Sequence, residues 1–209
     1  MVKCIIFDCD GTLVDSEYLC HLALEAQLKE YGVCVSAAKL VREFRAWKLD
    51  KIIADLQKDF DFQPDSDFIP CYRSKVADLF EKSLAPCEGV IDVLESIDLP
   101  RCVASNGPLE KMQHALLVSG LSQYFSDNLF SAYDIGSWKP EPELFLHSAS
   151  KMGFEPNECV VVEDSDVGIS AAKAAGIPAI LYDPLEIYGP QSYCAKIKSM
   201  TELSNEIYS

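Results

Sequence analysis

The chain has 209 residues and a formal net charge of −15, and 49% of its residues are hydrophobic. Its length exceeds that of most single domains but falls short of two full-sized ones, so we expect one core domain with an insertion. The negative charge excludes nucleic acid as a partner, because phosphate backbones are bound by clustered Lys and Arg. No apolar stretch reaches the roughly 18 residues of a membrane-spanning helix and no signal-peptide cleavage site is evident, so we expect no membrane partner either.

The first predicted element is a strand over residues 3–7, and a long helical stretch follows it. Between residues 16 and 83, apolar residues recur at helical spacing and no segment favours a strand. The four helices predicted there span residues 16–31, 36–44, 49–60 and 67–83. We expect residues 16–83 to form a helical cap inserted into a core of residues 1–15 and 84–209. Such a cap can act as a lid at the edge where α/β sheets bind their ligands.

After the insertion, strand and helix patterns alternate. Short β-branched runs bounded by turn signals predict buried parallel strands over residues 101–105, 129–131, 159–163 and 178–182. The helices predicted between and before them span residues 90–97, 109–119, 142–152 and 168–175. This alternation is typical of a doubly wound parallel sheet, so the predicted fold class is α/β.

The cysteines indicate a reducing compartment. There are nine of them, an odd number, and no two form a C-x-x-C pair. Cys4, Cys102 and Cys159 fall inside apolar strand-like runs, where cysteine behaves as a small hydrophobe. We therefore expect a cytoplasmic protein.

The first predicted strand runs directly into the acidic segment Asp8-Cys9-Asp10-Gly11-Thr12. If the strand persists through residue 10, the side chains of Asp8 and Asp10 point to one face, and Gly11 permits a sharp exit. Paired carboxylates suit a nucleophile that accepts a phosphoryl group and a neighbour that donates a proton and then removes one. Such an attack on an anion needs charge neutralisation, which Mg²⁺ can supply. An acidic turn that merely caps the strand is the alternative.

Ser105, Asn106 and Gly107 follow the second predicted strand, and Pro108 favours a helix start there. The Ser105 hydroxyl and the N–H groups of this loop would form an anion cradle that faces the same crevice as Asp8. An ordinary Ser/Asn helix cap is an equally valid interpretation of this segment alone.

Two further segments carry candidate charges for this crevice. Lys139 lies between Trp138 and a proline in W-K-P-E-P, which restricts the backbone and would fix the direction of its ammonium beside a phosphoryl group. A solvated lysine is the alternative.

Glu163 and Asp164 directly follow an apolar strand, where burying their charges is costly unless a cation such as a metal neutralises them. The alternative is that both acids turn outward and cap the next helix.

The order D-x-D-G-T, S-N-G, K-P and E-D-S resembles that of the haloacid dehalogenase-like hydrolase superfamily over essentially the whole chain. The resemblance implies a Rossmann-like core, Mg²⁺ and an aspartyl-phosphate intermediate. It implies that Asp8 is the nucleophile and Asp10 the general acid/base. The implied phosphoryl binders are Ser105, Asn106 and Lys139. The implied metal ligands are Asp8, the backbone carbonyl of Asp10, Asp164 and, through water, Glu163.

Four positions bear on which subgroup of the family the chain resembles. Asp10 argues against true haloacid dehalogenases, which lack this second aspartate because displacing a halide needs no protonated leaving group. The chain is similar to β-phosphoglucomutases and their sugar-phosphatase relatives, but the position of the cap-linker histidine of those mutases is Cys20 here. His21 is rotated by about 100° along the helix and should face elsewhere. Ser16 could still supply the hydroxyl that mutases place near the substrate.

Arg45 and Lys48, in the segment Arg45-Ala46-Trp47-Lys48, are the candidate specificity residues of the insertion. By position they resemble the specificity loop of bacterial phosphatases that act on phosphogluconate-like substrates. Two cations would suit an acidic or doubly anionic ester. A solvated face at a helix start is the alternative.

The leading hypothesis is a phosphatase of a small sugar phosphate or phosphogluconate-like acid. A phosphosugar mutase is the second hypothesis, and a non-catalytic binding protein on the same fold is the third. The third is disfavoured because every expected catalytic position is occupied. The expected partner is a small-molecule phosphate ester, and the expected oligomeric state is a monomer or weak dimer.

Overall fold

The structure is a computed structural model that describes residues 1–45, 47–189 and 195–208. Ala46 of the candidate specificity segment and Cys194 lie outside the described residues. The chain divides into two compact units, which are Met1–Val14 with Ala85–Ser209, and Asp15–Leu84.

A parallel sheet forms the centre of the first unit. Its strands are β1 (Cys4–Phe7), β2 (Arg101–Ser105), β3 (Leu129–Ser131), β4 (Cys159–Glu163), β5 (Ala179–Tyr182) and β6 (Ala195–Ile197). Their order is β3-β2-β1-β4-β5-β6. All residues of β1, β4 and β5 are buried, which explains why these strands read as continuous apolar runs rather than alternating ones. The α/β class predicted for this core is confirmed.

The strand β6 was not predicted from the sequence. It is only three residues long and lies at the edge of the sheet, beside β5. Ala195 and Lys196 are half-buried and neither is β-branched, so the segment lacks the apolar run that identified the other strands.

The second unit is helical, and its four helices follow the predicted pattern. They are α1 (Glu17–Glu30), α2 (Ala37–Phe44), α3 (Leu49–Asp59) and α4 (Phe68–Ser83). Their apolar faces form a core of their own, in which Leu28, Leu40 and Phe68 are fully buried. Ser36 caps α2 by accepting a hydrogen bond from the Lys39 N–H at 3.3 Å. The prediction of a helical insertion after the first strand is confirmed.

The remaining helices belong to the first unit. They are α5 (Val90–Ser96), α6 (Leu109–Val118), α7 (Ala132–Ile135), α8 (Glu143–Met152), α9 (Asp166–Ala174) and α10 (Leu203–Tyr208). Helix α9 begins two residues before the predicted start at Gly168, because the Ser165 hydroxyl accepts from the Gly168 N–H at 3.1 Å and caps the helix. The short helices α7 and α10 were not predicted.

Cys4, Cys102 and Cys159 are fully buried in the core of the first unit, as their apolar surroundings in the sequence suggested. Because these three thiols are buried close to one another, they pack as small hydrophobic side chains. In the part of the chain that the structure describes, no helix is both long and apolar enough to cross a lipid bilayer.

Candidate active site

The candidate site lies at the carboxyl ends of three neighbouring strands. Ser105 ends β2, Asp8 follows β1, and Glu163 ends β4. The Asp8 N–H donates to the Val162 carbonyl at 2.9 Å, so Asp8 continues the hydrogen bonding between β1 and β4 beyond the last strand residue. Because β2, β1 and β4 are adjacent in a parallel sheet, their ends bring these residues to one edge.

Lys139 is the charged residue that links the strand ends. Its Nζ donates to Asp8 Oδ1 at 2.5 Å and to Glu163 Oε1 at 2.7 Å, and the residue is only 4% exposed. Although burial works against it, Asp8 and Glu163 raise the pKa of Lys139 above its ordinary value. The ammonium therefore stays charged between two buried carboxylates and 4.8 Å from the centre of the Phe145 ring.

Both carboxylate oxygens of Glu163 are engaged by the protein. While Oε1 accepts from Lys139, Oε2 accepts from the Ser165 N–H at 2.9 Å and from the Ser165 hydroxyl at 2.7 Å. The backbone of Gly168 lies directly against this carboxylate, since a Cβ built there would be 1.9 Å from Glu163 Cδ. The Glu163 carboxylate is thus held in one orientation, and its hydrogen bond with Lys139 orients the ammonium in turn.

Asp8, Glu163 and Asp164 form a buried group of three carboxylates with oxygen atoms within 4.8 Å of one another. Burial raises the pKa of Asp8 to about 7; Lys139 opposes this shift, and the neighbouring Glu163 adds to it. Asp164 reaches the group across Gly11, whose positive φ of 85° and missing Cβ leave room for it. An all-oxygen donor set of this charge fits a hard divalent cation such as Mg²⁺.

Asp10 lies just beyond β1, in an isolated bridge with Val14 at the turn that Gly11 makes, and its carboxylate pairs with a lysine. The strand ends at Phe7, so the condition that it persist through residue 10 is not met; Gly11 turns the chain, and its N–H donates to the Val14 carbonyl at 2.8 Å. The Asp10 carboxylate nonetheless lies close enough to Asp8 to raise the pKa of that group. Its Oδ1 accepts from Lys111 Nζ at 2.7 Å.

The sequence matches the family model described as haloacid dehalogenase-like hydrolase over residues 2–176. The chain belongs to this family. It is 34% identical to the 6-phosphogluconate phosphatase of Escherichia coli K12 over 206 residues, which are 97% of this chain and 92% of that protein. It is also 34% identical to a fructose-1-phosphate phosphatase of the same organism over 183 residues, covering 84% of this chain and 94% of that protein.

Solved structures agree with this assignment. A haloacid dehalogenase-like protein of unknown function from Agrobacterium tumefaciens superposes with a TM-score of 0.84 at 29% identity, covering 100% of this chain and 98% of that one. The resemblance to the hydrolase family and its sugar phosphatases is therefore confirmed, and so is the prediction of a phosphatase at the level of the family.

Within this hydrolase, the loop after β2 is tied to the loop that carries Lys139. The Ser105 hydroxyl accepts from the Gly107 N–H at 3.0 Å. Asn106 Oδ1 accepts from the Lys139 N–H at 2.9 Å, and its Nδ2 donates to the Lys139 carbonyl at 3.4 Å. The side chain of Asn106 therefore braces the backbone of Lys139, an arrangement that its predicted role in phosphoryl binding did not include.

Two residues that contact the site, Ser131 and Lys111, were not predicted from the sequence. Ser131, at the end of β3, donates to the Gly107 carbonyl at 2.7 Å and steadies the Ser105 loop. Lys111 lies in the first turn of α6, directly after the S-N-G-P segment. A cation one turn beyond a candidate anion cradle was the available signal for Lys111, whereas no motif marks Ser131.

Arg45 and Lys48 belong to the helical unit and flank a turn between two of its helices. Arg45 follows the last residue of α2, and Lys48 precedes the first residue of α3. Both are half-buried. The pKa of Lys48 is lowered, chiefly by burial and secondarily by the nearby Lys51. Their contact with a substrate stays a prediction.

The residues that bear on the mutase hypothesis also lie in the helical unit. His21 is buried, and its Nδ1 lies 2.9 Å from the Glu17 carbonyl of the preceding helical turn. Cys20 is half-buried. The ring of His21 is therefore engaged with its own helix.

Proposed function

We propose that this protein is a Mg²⁺-dependent phosphatase that hydrolyses a small phosphate ester through an aspartyl-phosphate on Asp8. The observation that carries the proposal is the buried contact of Lys139 with Asp8 and Glu163 at the strand ends. A fixed ammonium beside a carboxylate nucleophile is suited to stabilising the negative charge of a transferring phosphoryl group.

In the first step, a carboxylate oxygen of Asp8 attacks the phosphorus atom while the bond from phosphorus to the leaving oxygen breaks. Asp10 donates a proton to that oxygen, so the alcohol leaves neutral. Lys139 and the N–H groups of the Ser105 loop face the phosphoryl oxygens. Asp8 is a competent nucleophile only as a carboxylate, and Lys139 is the protein group that favours this form.

In the second step, water attacks the phosphorus atom of the aspartyl-phosphate. Asp10, now a carboxylate, removes a proton from that water, and the bond from phosphorus to Asp8 breaks. Inorganic phosphate leaves, Asp8 is again a carboxylate, and Asp10 is again protonated. The two steps balance without any further reactant.

The carboxylates of Asp8 and Asp164, the backbone carbonyl of Asp10 and, through water, Glu163 would hold Mg²⁺. The bound ion would offset the charge of the phosphate group as it approaches three carboxylates. Since both oxygens of Glu163 already accept hydrogen bonds from Lys139 and Ser165, we assign Glu163 chiefly to the orientation of Lys139.

We further propose a phosphorylated sugar or sugar acid as the substrate. Support comes from the relatives named as phosphatases of 6-phosphogluconate and fructose 1-phosphate. Arg45 and Lys48 are proposed substrate-binding residues on their sequence position alone, as cations suited to an acidic ester.

The test is the release of inorganic phosphate from a panel of sugar phosphates and 6-phosphogluconate in the presence of Mg²⁺. We expect rapid release from at least one member without any added sugar bisphosphate. A requirement for a bisphosphate activator, with conversion of one sugar phosphate into its isomer, would identify a mutase instead. Release from no member would contradict the proposed phosphatase.

A further inference from the structure

Lys111 is the second lysine that contacts an acid of the candidate site. Its Nζ lies 2.7 Å from Asp10 Oδ1, and the two side chains are 28% and 25% exposed. Lys139 contacts Asp8 and Glu163, whereas Lys111 contacts Asp10. Each of the two aspartates proposed to react is therefore bonded to a lysine of its own.

The backbone around Gly107 brings Lys111 to Asp10. A Cβ built on Gly107 would lie 3.7 Å from Asp10 Oδ2, 3.7 Å from Lys111 Cδ and 3.3 Å from Ser105 Oγ. The stem of Lys111 thus runs beside Gly107, between the phosphoryl-binding loop and the Asp10 turn. Because Lys111 lies in the first turn of α6, the helix fixes its Cα relative to Ser105.

We propose that Lys111 is a positioning residue that holds the Asp10 carboxylate where it exchanges a proton with the leaving oxygen. This inference rests on the proposed function, in which Asp10 is the general acid and base. Asp10 lies three residues beyond the end of β1, in an isolated β-bridge with Val14 and outside the six-stranded sheet. A charge-assisted hydrogen bond from a helix-anchored lysine fixes the position of its carboxylate.

The proposal predicts a dependence on the leaving group. An alkyl phosphate needs a proton on its leaving oxygen, whereas p-nitrophenyl phosphate releases a stabilised phenolate that does not. Loss of Lys111 should therefore slow the alkyl ester much more than the aryl ester. A purely structural ion pair would slow both esters equally or neither.

The experiment compares Lys111→Met with the unmutated protein on a sugar phosphate and on p-nitrophenyl phosphate. Since general acid catalysis typically contributes a factor of about 10² to 10⁴, we expect kcat on the sugar phosphate to fall about 10- to 100-fold. We expect KM to change less than about twofold and kcat on the aryl ester to fall less than about threefold. Lys173→Met, on the exposed face of α9, is the matched control and should behave as the unmutated protein.

A double-mutant cycle with Asp10→Ala tests whether Lys111 acts through Asp10. In the Asp10→Ala background, Lys111→Met should cause no further loss on the sugar phosphate. Additive losses, equal losses on the two esters, or no loss in Lys111→Met would each overturn the proposal. These outcomes leave the phosphatase assignment intact. If the unmutated protein released phosphate from neither ester, the proposed role of Lys111 and the proposed phosphatase function would both be overturned.

Discussion

Gly168 lies directly against the carboxylate of Glu163, and this contact fixes the acid that in turn holds Lys139. A Cβ at position 168 would lie 1.9 Å from both Glu163 Cδ and Glu163 Oε1. Since Glu163 is 1% exposed and hydrogen-bonded through both oxygens, it has no free space to move into. The glycine of the E-D-S-x-x-G segment is therefore required by the position of the Glu163 carboxylate.

We predict that Gly168→Ala impairs turnover by displacing Glu163 from Lys139. Overpacking of a core typically costs about 1–3 kcal/mol, so the melting temperature should fall by several degrees, and kcat should fall by about tenfold or more. Gly189→Ala is the matched control, because a Cβ there would meet nothing within 4 Å. Equal activity and stability of the two variants would show that the Glu163 carboxylate can move without consequence.

Removal of the Lys139 ammonium should cost both stability and activity. Lys139→Met leaves Asp8 and Glu163 buried beside each other, and breaking a buried ion pair typically costs about 3–5 kcal/mol. Urea unfolding in metal-free buffer measures this loss, and phosphate release should fall at least about 10²-fold. Lys151→Met, on an exposed position of α8, controls for loss of a lysine. If Lys139→Met were as stable and as active as this control, Lys139 would have no role in the site.

Mg²⁺ should stabilise the folded protein through the buried carboxylates. At a concentration of about 100 Kd, a ligand specific to the folded state adds about 2.7 kcal/mol, which raises the melting temperature by about 5–10 °C. Asp164→Asn should abolish most of this rise, whereas Asp92→Asn, exposed in the first turn of α5, should preserve it. An undiminished rise in Asp164→Asn would place the ion elsewhere.

Most of the site could be predicted from the sequence, because apolar runs identify the strands and most of the motifs directly follow those strands. Asp8, Ser105 and Glu163 could be placed at one sheet edge on that basis alone. Lys111 could not be paired with Asp10 in this way, since the two residues are 101 positions apart and meet only through the packing around Gly107. The sequence predicted a metal beside Glu163 but not Lys139, whose Nζ donates to Glu163 Oε1 at 2.7 Å.

Asp183 offers a test of pH dependence away from the candidate metal ligands. Burial raises the pKa of this carboxyl, but Lys196 and the N–H groups of Ile187 and Tyr188 outweigh it, so the pKa is lowered. Because the folded pKa lies below the unfolded one, this contribution to stability is present above the unfolded pKa. It is lost as the pH falls through the folded pKa.

We therefore predict that Asp183→Asn lowers the free energy of unfolding at neutral pH. The difference between this variant and the unmutated protein should shrink as the pH falls below about 3.9, the unfolded value for aspartate. Urea unfolding at several pH values measures the difference. A gap that stays constant across this range would mean that the Asp183 carboxylate is not stabilised by Lys196.

The proposed mechanism requires Asp8 to carry the phosphoryl group during turnover. The most direct measurement is acid quenching of the protein during turnover of a sugar phosphate with Mg²⁺, followed by mass spectrometry of its peptides. We predict one added phosphoryl group on the peptide that contains Asp8, and neither this group nor phosphate release in Asp8→Asn. Full phosphate release by Asp8→Asn, or a phosphoryl group on another residue, would rule out Asp8 as the nucleophile.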